Sequence, residues 1–155
     1  MADRLCPQIT LPAVAYVPGQ NTHPKHLFKD LWPSLDHFAE DNWKSATPYL
    51  MGFDLYHAGF YWEAHETWEE VWHLCKKQSP AGPLVQSLIF LTASRLKLRM
   101  DQSEQSQRMV KRALELLTDL KEVDSAVILG ISLANYIDLL ENIKTQSPTL
   151  TIHWG

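Results

Sequence analysis

Tyr61-Trp62-Glu63-Ala64-His65-Glu66-Thr67-Trp68-Glu69-Glu70-Val71-Trp72-His73 places three tryptophans, two histidines and four carboxylates on less than four helical turns. Alternation this tight leaves some carboxylates beside indole rings. A carboxylate away from water needs a hydrogen-bond donor, a cation or a metal. His65 and Glu69 lie four residues apart and project from one side of a helix, as do Glu66 with Glu70 and Trp68 with Trp72. Two readings follow. One is an aromatic core helix in which a carboxylate holds a mostly buried His65 by a hydrogen bond; the other is a site for metal or acid–base chemistry.

Metal motifs fit this stretch poorly. His65-Glu66-Thr67-Trp68-Glu69 resembles a zinc-protease helix but has Glu69 where the second imidazole belongs. Glu70-Val71-Trp72-His73 has the Glu-x-x-His spacing of di-iron bundles, which need a second copy that the chain lacks. A mononuclear site on His65 and Glu69 would take its third ligand from Asp54, His57 or the region of His23 and His26. His73 lies ~12 Å along the axis from His65. Lys97 shares a strip of its helix with Gln86, Phe90 and Ala93, and is expected to face the same space and neutralise the carboxylates. On this ligand count no metal and no cofactor is expected.

The elements that position these residues read as helices. Residues 1–24 form an irregular arm broken by Pro7, Pro12, Pro18 and Pro24, yet its Leu11, Val14, Tyr16 and Val17 are apolar enough to lie across a surface. Short helices are predicted over His26–Leu31 and Ser34–Trp43, then one from Pro48 to Ala58 closed by a left-handed Gly59. The site helix follows over Phe60–Lys77. Leu84–Met100, apolar almost all round, belongs in the middle of a bundle. Asp101 and Glu104 suggest a capping box for a helix reaching Glu122. A last helix is predicted from Ser125 to Lys144, with an extended tail over Thr149–Trp154. Arg95, Arg99, Arg108, Lys111 and Arg112 read as a solvated basic edge.

Composition narrows the class. The 155 residues, 45% hydrophobic and 21% charged, suit one folded domain over residues 25–147, between the arm and a tail at 148–155. A net charge of −4 argues against nucleic-acid binding. No targeting signal and no run of ~20 apolar residues is present, so no membrane contact is expected. Cys6 and Cys75 share no metal spacing and read as reduced thiols of a cytoplasmic protein.

Gly52-Phe53-Asp54-Leu55-Tyr56-His57-Ala58-Gly59-Phe60-Tyr61-Trp62-Glu63-Ala64-His65-Glu66-Thr67-Trp68-Glu69-Glu70-Val71-Trp72 resembles the signature of a bacterial and archaeal helical family, domain of unknown function 309. The resemblance extends to Gln86-Ser87-Leu88-Ile89, Lys97-Leu98-Arg99 and Arg112-Ala113-Leu114, and the arm from Leu11-Pro12 to His23-Pro24 is similar to that of a longer subgroup. It spans residues 11–120. His57 stands where Asn is common, and Ser87 where Gly is. The resemblance implies a compact up-and-down helical bundle and no particular activity.

The sequence therefore predicts an all-α, compact up-and-down helical bundle with an irregular N-terminal arm. Its function is read as a binding module for a small molecule or peptide, with a polar cleft formed by His65, Glu66, Glu69, Lys97, Asp54 and Trp72. The alternatives are a metal-assisted hydrolase, with His65 and Glu69 as ligands and Glu66 as base, and a protein-interaction scaffold using tryptophans. Association with a second copy is compatible with all three.

Overall fold

The computed structural model describes residues 3–21, 32–122, 127–145 and 149–155. Four long helices follow one another: α1 (Thr47–His57), α2 (Tyr61–Cys75), α3 (Ala81–Arg99) and α4 (Ser103–Thr118). Each packs on its neighbours in order, α1 on α2, α2 on α3 and α3 on α4, as an up-and-down bundle should. A shorter α5 (Leu133–Glu141) packs on α4. The all-α bundle expected from the sequence is the fold.

Local chemistry accounts for the boundaries. Pro48 sits in the first turn of α1, where its missing N–H costs nothing. Gly59, at φ +88, turns the chain after α1 as expected. α3 is buried along most of its length, from Ala81 to Ser94, because it is sandwiched between α2 and α4. α4 shows the opposite character: Ser106, Val110, Ala113 and Leu117 form one buried stripe on an otherwise wet helix. Its Ser106 hydroxyl meets Ser94 of α3 at 2.7 Å, so a pair of small polar residues brings these two helices close.

One close approach fixes the α1–α2 crossing. A Cβ on Gly52 would lie 1.9 Å from Trp68 Nε1, so the indole lies directly against the α1 backbone. There Trp68 Nε1–H donates to the Tyr49 carbonyl at 3.0 Å. The Phe53 and Tyr56 rings pack against the same indole.

Three expectations fail, each for a local reason. Ser34–Trp43 is not a helix; the Asn42 side chain accepts from Ala39 N–H and donates to the His37 carbonyl, stabilising a turn that ends in a 3-10 turn at Trp43–Ser45. The Asp101–Glu104 capping box does not form, because Gln102 takes the N-cap without a side-chain bond and Asp101 adopts a left-handed φ of 59. The last helix starts only at Leu133. Before it, β1 (Val127–Ile128) and β2 (Ile131–Ser132) pair antiparallel around Leu129-Gly130, whose φ values of 51 and 82 are those of a tight hairpin turn. The tail is extended as expected and is held to the bundle: Ile152 bridges to Ile131, and Trp154 stacks on Trp43 with centroids 5.6 Å apart. The predicted helix at His26–Leu31 and the start at Ser125 lie outside the described residues. No helix among the described residues is long and apolar enough to cross a membrane.

Candidate functional site

The carboxylates singled out from the sequence separate into two groups. Asp54, on the buried side of α1, is only 2% exposed. Its two oxygens accept Leu5 N–H at 2.7 Å, Cys6 N–H at 2.8 Å and Arg4 Nε–H at 3.1 Å. Arg4 Nη2 continues to the carbonyls of Cys6 and Ile9, closing the first part of the arm into a compact turn. Asp54 therefore serves here as the anchor of the arm.

Glu63 does the same further along. It occupies a core position of α2, in line with Thr67 and Val71, and is fully buried. Its Oε2 accepts Tyr16 N–H at 2.9 Å, and the Tyr16 ring stands edge-on to Trp62 with centroids 4.9 Å apart. Its other oxygen, Oε1, is buried with no hydrogen-bond partner. Burial pushes the Glu63 carboxyl above its ordinary range; the Tyr16 N–H and the Arg99 charge act against that shift. The sequence contained the clue: a carboxylate on the apolar stripe of an amphipathic helix. What it could not show was the partner, a backbone N–H of the arm.

The second group stands on the outer side of α2. His65, Glu66 and Glu69 side chains are 31%, 25% and 43% exposed. His65 Nδ1 lies 3.7 Å from a Glu66 oxygen and 3.7 Å from a Glu69 oxygen. These are ion-pair separations, too long for hydrogen bonds. His65 is thus more buried than exposed, as expected, but the direct hydrogen bond expected to a carboxylate of its own helix is not made among the described residues. One potential ligand atom from each of the three residues lies within 4.8 Å of the others.

Lys97 does not join them. It is half-buried on α3, and among the described residues its side chain makes no ion pair within 4.0 Å. The last turn of α3 instead sends Arg99 towards the hairpin loop, where Nη1 donates to the Gly59 carbonyl at 2.6 Å and the guanidinium covers the Tyr61 ring at 4.3 Å. Trp72 is half-buried near the C-terminal end of α2, with the Lys76 ammonium 5.7 Å from its ring centroid. Of the six residues expected in one cleft, the structure clusters three, buries Asp54 under the arm, and leaves Lys97 and Trp72 outside both sets of contacts.

His57 and the cysteines have structural surroundings. His57 Nε2 accepts Leu150 N–H at 2.9 Å and so tethers the tail; burial lowers its pKa, with the Asp54 charge opposing. Cys6 and Cys75 are both free and buried, and burial raises each thiol to about 11. A thiol so rarely ionised is a poor nucleophile.

Residues 49–109 match the model of a protein family described as a domain of unknown function, DUF309. The matched segment carries Asp54, Glu63 and the His65-Glu66-Glu69 set, while the arm residues seated on Asp54 and Glu63 lie outside it. No curated protein and no solved structure matches the chain.

Proposed function

We propose, for a chain whose residues 49–109 belong to the DUF309 family, a non-catalytic binding module whose outer α2 face receives the ammonium group of a small molecule or peptide. The observation that carries this reading is the clustering of acceptor atoms on His65, Glu66 and Glu69, all within 4.8 Å of one another. Three acceptors hydrogen-bonded tetrahedrally to one ammonium, each ~2.8 Å from it, stand about 4.6 Å apart. Three ligands around zinc, at ~2.1 Å, stand only about 3.4 Å apart. The two separations from His65 Nδ1 are 3.7 Å and the third is at most 4.8 Å, so the set falls between these two geometries, and the amine reading rests on the clustering of two carboxylates with an imidazole rather than on their spacing. In this role His65 is neutral and accepts through Nδ1, keeping its proton on Nε2. Trp62, one turn before His65 and Glu66, and Trp72, three residues past Glu69, supply apolar surface along the same helix for the rest of the ligand.

The hydrolase remains as a second reading because the cluster provides three ligands where the sequence offered only two, and three plus water is the usual catalytic zinc set. It would make Glu66 a ligand and so remove it as base. Calorimetric titration separates the two. Butylamine and a lysine-bearing peptide should bind wild-type protein, and Glu69→Gln should weaken that binding at least tenfold. Stoichiometric zinc or manganese binding that is lost in His65→Ala, with no response to either amine, would replace the amine reading with the metal one.

A further inference from the structure

Thr149, Leu150 and Thr151 form the wall between two clefts. One, of about 300 Å³, is bounded on its far side by Ser132, Asn135 and Asp138. The other, of about 390 Å³, is bounded by Asp3, Leu5 and His57. Thr149 and Thr151 are exposed, and Leu150 between them holds the stretch at two points. Its side chain is buried in the core, and its N–H donates to His57 Nε2 at 2.9 Å. Further along, Ile152 bridges to Ile131, and His153 N–H donates to the Gly130 carbonyl at 2.8 Å.

The hold at Leu150 differs in kind from those beyond it. A backbone carbonyl takes no proton near neutral pH, whereas an imidazole does. To accept at Nε2, His57 must be neutral and carry its proton on Nδ1. Once Nε2 is protonated, both ring nitrogens are donors and the Leu150 N–H faces another N–H.

The surroundings do little to favour that proton. Asp54, three residues back on α1, attracts it, but its oxygens are taken by Leu5, Cys6 and Arg4, and Arg4 sets a positive charge beside them. Asp3, on the arm side of the cleft, is exposed and screened by water. Thr149–Ile152 carries no charge, and His153 is exposed. The Tyr56 ring stands edge-on to the imidazole with centroids 5.4 Å apart. Burial accordingly lowers the His57 pKa from 6.5, with the Asp54 charge opposing.

We propose that Thr149–Thr151 is a strap released by acid: protonation of His57 at Nε2 unpins Leu150, and the strap lifts while Ile152 and His153 stay held, joining the two clefts. The pinned state resists the proton. Pinning is therefore complete above the free-histidine value near 6.5 and is lost as pH falls towards the lowered one. Across that interval release grows about tenfold for each unit of pH.

NMR of the full chain between pH 7.5 and pH 4.5 tests this. The ring 15N shifts of His57 report its tautomer and its titration. Amide exchange, corrected for its intrinsic pH dependence, reports the strap. At pH 7.5 His57 should carry its proton on Nδ1. As Nε2 is protonated, protection of the Leu150 amide should fall about tenfold per unit of pH, while the His153 amide keeps its protection. His57→Gln offers an amide oxygen that cannot titrate and should give a flat Leu150 profile. Glu63 remains in that variant, so a contribution from its own titration would persist there. Should His57→Gln fail to fold, the wild-type titration decides alone. Leu150 protection that survives protonation of Nε2, a His57 ring that stays neutral to pH 4.5, or the same pH response in His57→Gln would overturn the proposal.

Discussion

Asp54 and Glu63 on one side of the α1–α2 hairpin, and Glu66 and Glu69 on the other, are the same residue types within sixteen positions of one another. The inner pair is at most 2% exposed and accepts backbone N–H groups of the arm. The outer pair is 25% and 43% exposed and faces an imidazole at 3.7 Å. Backbone donors cannot leave without the arm leaving too, so the inner carboxylates fix one chain segment on another. The outer ones are screened by water and contribute little to folding. Burial and the nature of the donor, not the residue type, set the two pairs apart.

The largest effects should come from the wall and the anchor on the inner side. Trp68→Ala removes a fully buried indole that packs on Gly52 and two aromatic rings, and should cost about 3–5 kcal/mol. Half-buried Trp72 should cost clearly less when truncated in the same way. Asp54→Asn leaves an amide N–H₂ facing donors from Leu5, Cys6 or Arg4 and should cost about 3 kcal/mol. Urea unfolding measures all three. If Asp54→Asn lost under ~1 kcal/mol, the arm would not depend on its anchor and the inner pair would resemble the outer one.

The helices around this contrast were legible in the sequence; the contrast itself, with Asp54 expected beside Glu66 and Glu69 in one cleft, was not, and that has a physical cause. Pro48, Gly59 and the Pro80–Pro83 stretch punctuate α1–α3 where helical periodicity stops and starts, and the dry character of α3 announces its central place. Glu63 was not singled out, although its place on a core stripe was a signal for burial; its donor left none, because a backbone N–H leaves no mark in the side-chain pattern. The hairpin hid for a related reason. Ile128 and Ile131 fit a helical stripe as well as a strand pair, and only Leu129-Gly130, turning at positive φ, decides the matter. Lys97 was placed by helix position alone, which fixes a direction from the axis but not where a flexible four-carbon stem ends.

Intermediate in size is the pH response of Glu63. The folded-state pKa of Glu63 is raised from 4.5, so its contribution to stability is present below about 4.5 and is lost as pH rises through the raised value. Gln at this position keeps an acceptor for Tyr16 N–H without a charge to bury. Glu63→Gln should therefore flatten the stability profile above pH 4.5, and near pH 7 should equal or exceed wild type by on the order of 1 kcal/mol. Urea unfolding across pH 4–8 provides the comparison. A wild-type profile that the substitution leaves unchanged would show that Glu63 is not a strained carboxylate.

The smallest expected effect belongs to the outer face. His65 and Glu69 meet at 3.7 Å with side chains 31% and 43% exposed, so solvent screens most of their attraction. Alanine is a better helix former than histidine by up to ~0.7 kcal/mol, which offsets what the lost contact contributes. His65→Ala and Glu69→Gln should each change stability by no more than about 0.5 kcal/mol, as substitutions at half-exposed helix positions do. The same variants are expected to lose amine binding, and that pairing of intact stability with lost binding is what separates a site from a structural network. A loss above ~2 kcal/mol in either variant would put the outer residues in the same class as Asp54, with His65 and its carboxylates holding the helix together rather than waiting for a ligand.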